Sequence, residues 1–132
     1  MYLIEARLSP IAKDNGLPDV QALVDKIRAT NNRALIQEVV EAMTTNETSF
    51  FRDLHPFDAL KAEIIPDLIL KRQNERKLTI WSNACSSGQE VYSIAMLLRE
   101  NFPQLNGWDV KLIASDLSTH ILDKARSGLF NQ

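Results

Sequence analysis

Two acids, each set just beyond an apolar run, are the side chains of this sequence best placed to hold a small molecule. Glu90 follows Trp81-Ser82-Asn83-Ala84-Cys85-Ser86-Ser87-Gly88-Gln89, and Asp116 closes Val110-Lys111-Leu112-Ile113-Ala114-Ser115. Leu78-Thr79-Ile80-Trp81 has the composition of a strand, the small residues after it that of a tight turn, and Val91 to Leu98 that of a helix. In such a unit a ligand sits at the carboxyl end of the first strand. Small residues admit it to the backbone, and the helix start offers N–H groups to an anion. An acid ending the second strand accepts hydrogen bonds from ribose hydroxyls, normally roughly 20 residues beyond the glycine turn. From Gly88 to Asp116 the interval is about 28 residues, which a longer connecting helix accommodates.

Glu90 discriminates between nucleoside ligands. The turn departs from G-x-G-x-x-G, with Ala84, Cys85, Ser86 and Ser87 ahead of its single Gly88. A pyrophosphate site calls for more glycine and no acid directly after the turn. A carboxylate repels phosphate but holds a cationic amino group, so a nucleoside carrying an amino acid, S-adenosyl-L-methionine, fits better than NAD or a nucleoside triphosphate. The plainer alternative is that Glu90 complements the helix dipole, and spacing alone leaves the two open. A second cluster, Thr44-Thr45-Asn46-Glu47-Thr48-Ser49-Phe50-Phe51-Arg52-Asp53, runs polar, aromatic, then basic between helices. Its plain reading is a helix cap ahead of Phe50. His55 and His120 stand alone, as surface or capping residues, and Cys85 reads as a small turn residue rather than a nucleophile.

These groups need elements to position them. Residues 1–72 read as a helical domain. Val20, Leu23, Val24 and Ile27 mark one helix behind Pro18-Asp19, and Leu35, Ile36, Val39, Val40 and Met43 a second, capped by Asn31 or Asn32. Phe57, Leu60, Ile64, Leu68 and Ile69 mark a third, opened by Pro56, which Pro66 should kink or split. Residues 73–132 change texture: strand 78–83, helix 89–102, loop 103–109, strand 110–115, helix 118–126. Both strands are short continuous apolar runs, which suits parallel strands covered on both faces. The expected class is therefore α/β, a small all-helical domain followed by the first βαβα portion of a Rossmann-like domain. Two rounds of alternation leave that domain incomplete, because a doubly wound sheet normally has more strands. An unfinished sheet predicts self-association through its edge and apolar face.

Bulk composition narrows the classes. Fifteen basic and seventeen acidic residues among 132 leave a net charge of −2, with no run of like sign, so nucleic acid is not an expected partner. No apolar segment approaches membrane-spanning length, and Met1-Tyr2-Leu3-Ile4-Glu5-Ala6-Arg7 lacks the layout of a signal peptide, so the expected location is cytoplasmic, without membrane insertion. One cysteine excludes an internal disulfide and a cysteine-based zinc site, and no metal is expected.

Taken together, Asn46-Glu47-Thr48-Ser49-Phe50-Phe51-Arg52-Asp53, Trp81 to Ala95, Ala114-Ser115-Asp116-Leu117 and Lys124-Ala125-Arg126-Ser127-Gly128 resemble the CheR-type chemotaxis receptor methyltransferases in order and spacing, over essentially the whole chain. The resemblance implies transfer of a methyl group from S-adenosyl-L-methionine, giving S-adenosyl-L-homocysteine, to glutamate side chains in chemoreceptor cytoplasmic domains. It implies that Asn46, Thr48, Arg52, Glu90 and Asp116 bind the cofactor: Glu90 its amino group, Asp116 its ribose hydroxyls, and Arg52 lying over the cofactor and the incoming glutamate as the catalytic residue. Gln89 and Val91 replace the Glu and Pro common beside Glu90. Family members continue for well over a hundred further residues, so this chain alone is expected to be inactive. The competing expectation is a non-catalytic receptor-binding module using Lys26, Arg28 and Arg33. A dehydrogenase is a distant third, opposed by Glu90 and the glycine-poor turn.

Overall fold

The computed structural model describes residues 2–130. The helices are α1 (Tyr2–Asp14), α2 (Val20–Thr30), α3 (Arg33–Met43), α4 (Leu54–Ala59), α5 (Ile65–Lys71), α6 (Gln89–Asn101) and α7 (Thr119–Ser127). Two strands, β1 (Lys77–Asn83) and β2 (Asp109–Ser115), complete the elements together with a π turn (Leu60–Ile64) and a 3₁₀ turn (Pro103–Leu105). The chain divides into two compact units, Met1–Thr45 and Asn46–Gln132.

In the first unit Leu8, Ala12, Leu23 and Leu35 form the core. Asp19 caps α2 by accepting from the Ala22 amide. Both asparagines of the next turn are used. Asn31 ends α2 in the left-handed conformation, while Asn32 opens α3 by accepting from the Ala34 and Leu35 amides. The side chain of Arg7 donates to the carbonyls of Met43 and Thr44, which closes the carboxyl end of α3.

In the second unit Phe57, Ile65, Leu78, Ile94, Leu97, Leu98, Phe102 and Leu105 share one core. This shared burial is why the compact unit starts at Asn46 and takes in α4 and α5, whereas sequence texture changes only at residue 73. Pro66 splits its helix by a defined device. The Ile65 amide reaches five residues back to the Leu60 carbonyl, and the widened turn places Pro66 near the start of α5, where no N–H is required.

The strands are parallel and in register from Lys77↔Asp109 to Asn83↔Ser115. Leu78 and Ser82 of β1 are buried, and alternate residues point the other way. On that other face Trp81, 64% exposed, lies beside its register partner Ile113, 49% exposed. The expectation of strands covered on both faces thus fails among the described residues: helices cover one face, and the apolar pair on the other stands open. No described helix is long and apolar enough to cross a membrane.

Candidate functional site

The parallel register decides where the two acids meet. Because Asn83 pairs with Ser115, the turn leaving β1 and the residue leaving β2 emerge side by side. The Cys85 amide donates to the Ser115 carbonyl at 2.9 Å, and the Ser86 amide donates to Asp116 Oδ2 at 2.8 Å. Asp116 Oδ1 accepts from the Ser118 amide at 2.9 Å, so the carboxylate is aimed by backbone on both sides. Glu90 is fixed from below: Ser82, buried on β1, donates to Glu90 Oε1 at 2.8 Å. Asp116 and Glu90, 26 residues apart in sequence, thereby bracket the turn.

The turn itself is tightly wound. Ala84, Ser86 and Gly88 all have positive φ, at 58°, 51° and 97°. Gly88 is required for a reason other than ligand approach. A Cβ there would lie 3.1 Å from the Ala125 Cβ and 3.1 Å from Tyr92 Cε2, so the missing side chain lets α7 pack against the turn. The Tyr92 hydroxyl donates to the Ala125 carbonyl at 2.9 Å and ties α6 to the end of α7.

The electrostatics favour a cation. The buried Cys85 thiol is pushed up from its ordinary value of 9.0, first by burial, then by the Asp116 carboxylate, with a smaller push from Glu90; its backbone hydrogen bond opposes them. Burial is the main reason that a thiolate is disfavoured; the two carboxylates add to it, and their charge would also oppose a phosphate. Acceptor capacity points the same way. A carboxylate offers about four acceptor sites, so the bonds from Ser86 and Ser118 orient Asp116 without using all of them. Glu90 Oε2 makes no hydrogen bond among the described residues. Both carboxylates thus keep acceptor capacity for hydroxyl or ammonium donors.

The Asn46–Asp53 segment is brought to the same turn. The Ser86 hydroxyl donates to the Asn46 carbonyl at 2.8 Å, and the Phe51 amide donates to Ser93 Oγ at 2.9 Å. Thr48 is half-buried and makes no side-chain hydrogen bond among the described residues. Arg52 turns onto its own segment, with Nη1 donating to the Glu47 carbonyl at 2.7 Å and Nη2 lying 3.7 Å from Glu47 Oε2. Through Ser86 the structure joins the Asn46 carbonyl to Asp116, while Glu90 is held separately by Ser82 of β1 and Arg52 stays paired with Glu47. Ser82, Ser86 and Ser93 were missed by sequence reasoning; the only signal for them is that all three are buried polar residues in otherwise small or apolar runs. His55 and His120 are exposed, and no group of three or more described His, Cys, Asp or Glu residues is placed to hold a metal ion.

The parallel strand pair thus sets Asp116, just past β2, and Glu90, in the first turn of α6, around one turn. Comparison with known proteins makes the family specific. Residues 46–132 match the CheR methyltransferase, SAM-binding domain. The chain is 40% identical over 134 residues to the chemotaxis protein methyltransferase Cher2 of Pseudomonas putida, covering 98% of this chain and 48% of that protein. It is 42% identical over 134 residues to chemotaxis protein methyltransferase 1 of Pseudomonas aeruginosa, with the same coverage. To chemotaxis protein methyltransferase 2 of Vibrio cholerae it is 44% identical over 96 residues, 73% of this chain and 33% of that protein. The chain belongs to the CheR methyltransferase family, and its cofactor is S-adenosyl-L-methionine. It spans about half the length of the curated relatives it matches.

Proposed function

We propose that residues from Asn46 onward form the opening of a Rossmann-like domain that binds S-adenosyl-L-methionine, and that the protein methylates glutamate side chains of chemoreceptor cytoplasmic domains in the cytoplasm. The observation that carries the reading is the pair of oriented carboxylates around a turn of negative potential. Asp116 would hold the ribose hydroxyls and Glu90 the amino group, with Asn46, Thr48 and Arg52 closing over the cofactor from the segment before α4.

Bound there, S-adenosyl-L-methionine would supply an electrophilic methyl group to a glutamate oxygen, with S-adenosyl-L-homocysteine as the leaving group and a glutamyl methyl ester as the product. A glutamate is already ionised at neutral pH, so no general base is required of the protein. What the chain must provide is alignment and exclusion of water, since charge is lost in the transition state. Arg52 would leave Glu47 and take the substrate carboxylate in a bidentate contact. That exchange costs little, because an exposed ion pair is worth about 0–1 kcal/mol. Phe50 and Phe51 would screen the site.

Calorimetry with S-adenosyl-L-homocysteine, on this sequence extended to its relatives' length, tests the assignment. Asp116→Ala should lose binding, and unchanged affinity would sink it. Tritiated-methyl transfer separates an enzyme, which labels a receptor glutamate, from an adaptor, which binds the receptor without labelling it.

A further inference from the structure

Two serine hydroxyls hold the segment between Asn46 and Phe51 at its ends. At one end Ser86, itself at φ 51°, donates its hydroxyl to the Asn46 carbonyl while its amide donates to Asp116. At the other, the fully buried Ser93 donates to the Gln89 carbonyl at 2.7 Å and accepts from the Phe51 amide. A serine hydroxyl has one proton. With Ser93's proton committed to Gln89, its lone pairs are turned toward Phe51, so α6 fixes the direction of that bond.

Phe51 also occupies an unusual conformation. Its φ is 50°, in the left-handed region that bulky residues avoid. Such a conformation persists only where the surroundings over-determine it. Here the amide is held by Ser93 and the ring packs on Phe57, with centroids 5.1 Å apart. Arg52 follows directly, so the backbone direction at Phe51 sets where the guanidinium departs.

We propose that Ser86 and Ser93 are positioning residues for the cofactor, acting through the Asn46–Arg52 segment that they fasten to the turn and to α6. Ser86 couples that segment to Asp116, since one residue bonds both. Ser93 holds the strained Phe51 and thereby the origin of Arg52. Neither touches the cofactor. The inference rests on the cofactor reading above, because it assigns Thr48 and Arg52 to the ligand.

The test combines amide exchange with a mutant cycle. In this chain, Ser93→Ala should speed exchange of the Phe51 amide about tenfold or more, the effect of losing one partly buried hydrogen bond, while the Leu97 and Leu98 amides keep their rates. With the sequence extended to its relatives' length, Ser93→Ala and Ser86→Ala should each weaken S-adenosyl-L-homocysteine about tenfold in calorimetry. In an Asn46→Ala/Thr48→Ala/Arg52→Ala background, the same serine substitutions should change affinity less than about twofold, because their route to the ligand through the segment is gone. A purely structural role would give equal losses in both backgrounds and overturn the proposal. So would full affinity in both serine variants when Asp116→Ala abolishes binding. No binding by the unsubstituted protein would remove the cofactor reading itself, and the positioning role with it. Should Ser93→Ala fail to fold, Ser86→Ala carries the same cycle from the other end.

Discussion

Gly88→Ala should be among the most damaging single-methyl changes in the second unit, and the structure says why. Gly88 has φ 97° and ψ −4°, beyond the centre of the left-handed basin. An L-residue there costs about 1–2 kcal/mol in backbone strain. The new Cβ would also lie 3.1 Å from Ala125 Cβ and from Tyr92 Cε2, and 3.3 Å from Tyr92 Cδ2. Moving the Tyr92 ring away would strain the bond of its hydroxyl to the Ala125 carbonyl. Overpacking of this kind adds about 1–3 kcal/mol. Gly128 supplies the internal control. Its φ of 62° sits in the left-handed basin, and a Cβ would make only ordinary contacts with Tyr92, Oη at 3.4 Å and Cζ at 4.0 Å, so Gly128→Ala should cost about 1 kcal/mol. In thermal melts followed by circular dichroism, a domain of this size loses about 4–8 °C per kcal/mol. Gly88→Ala should therefore cost about 2–5 kcal/mol and lower Tm by about 8–40 °C, against about 4–8 °C for Gly128→Ala. Equal losses would refute the argument that Gly88 exists to admit α7.

Two other outcomes follow from the described geometry. The raised Cys85 thiol favours the neutral form in the folded state, so its contribution to stability is complete below the ordinary thiol value of 9.0 and is lost as pH rises through the higher folded value. Urea midpoints of the parent should thus fall more steeply than those of Cys85→Ala above that pH; parallel pH curves would contradict the assignment. The open face at Trp81 and Ile113 should drive self-association in light scattering, reduced by Ile113→Lys. A clean monomer at high concentration would rule this out.

Much of the organisation is legible in the residues themselves. The caps at Asp19 and Asn32 are local, since a side-chain oxygen and an amide two or three residues on need no tertiary partner. The split at Pro66 is local for the same reason, since a proline has no N–H to give to the turn before it. Both strands, the turn at 84–88 and the helix behind it could be placed from short-range pattern alone. The start of the second compact unit could not. Phe57 and Ile65 read as one more amphipathic helix, and only their burial against Leu78 and Ile94 joins them to the strands.

The candidate site divides along the same line. Residue chemistry singled out Glu90 and Asp116, because a carboxylate's preference for hydroxyls and cations over phosphate does not depend on the fold. Their meeting around one turn required the parallel register of Asn83 with Ser115, a pairing between residues 32 positions apart. The serines show the limit most clearly. Ser86 and Ser93 resemble any small polar residue in sequence, and become fastenings only because a distant carbonyl and amide arrive within hydrogen-bonding distance. Gly88 likewise marks a turn in any reading, but that its empty side receives α7 is decided by Ala125 and Tyr92. The sequence by itself determined which groups this protein offers to a cofactor and which local turns hold them. Tertiary structure alone decided which of those groups face each other, because hydrogen bonds and contacts form between atoms brought close in space, and that proximity is set by strand register and core packing.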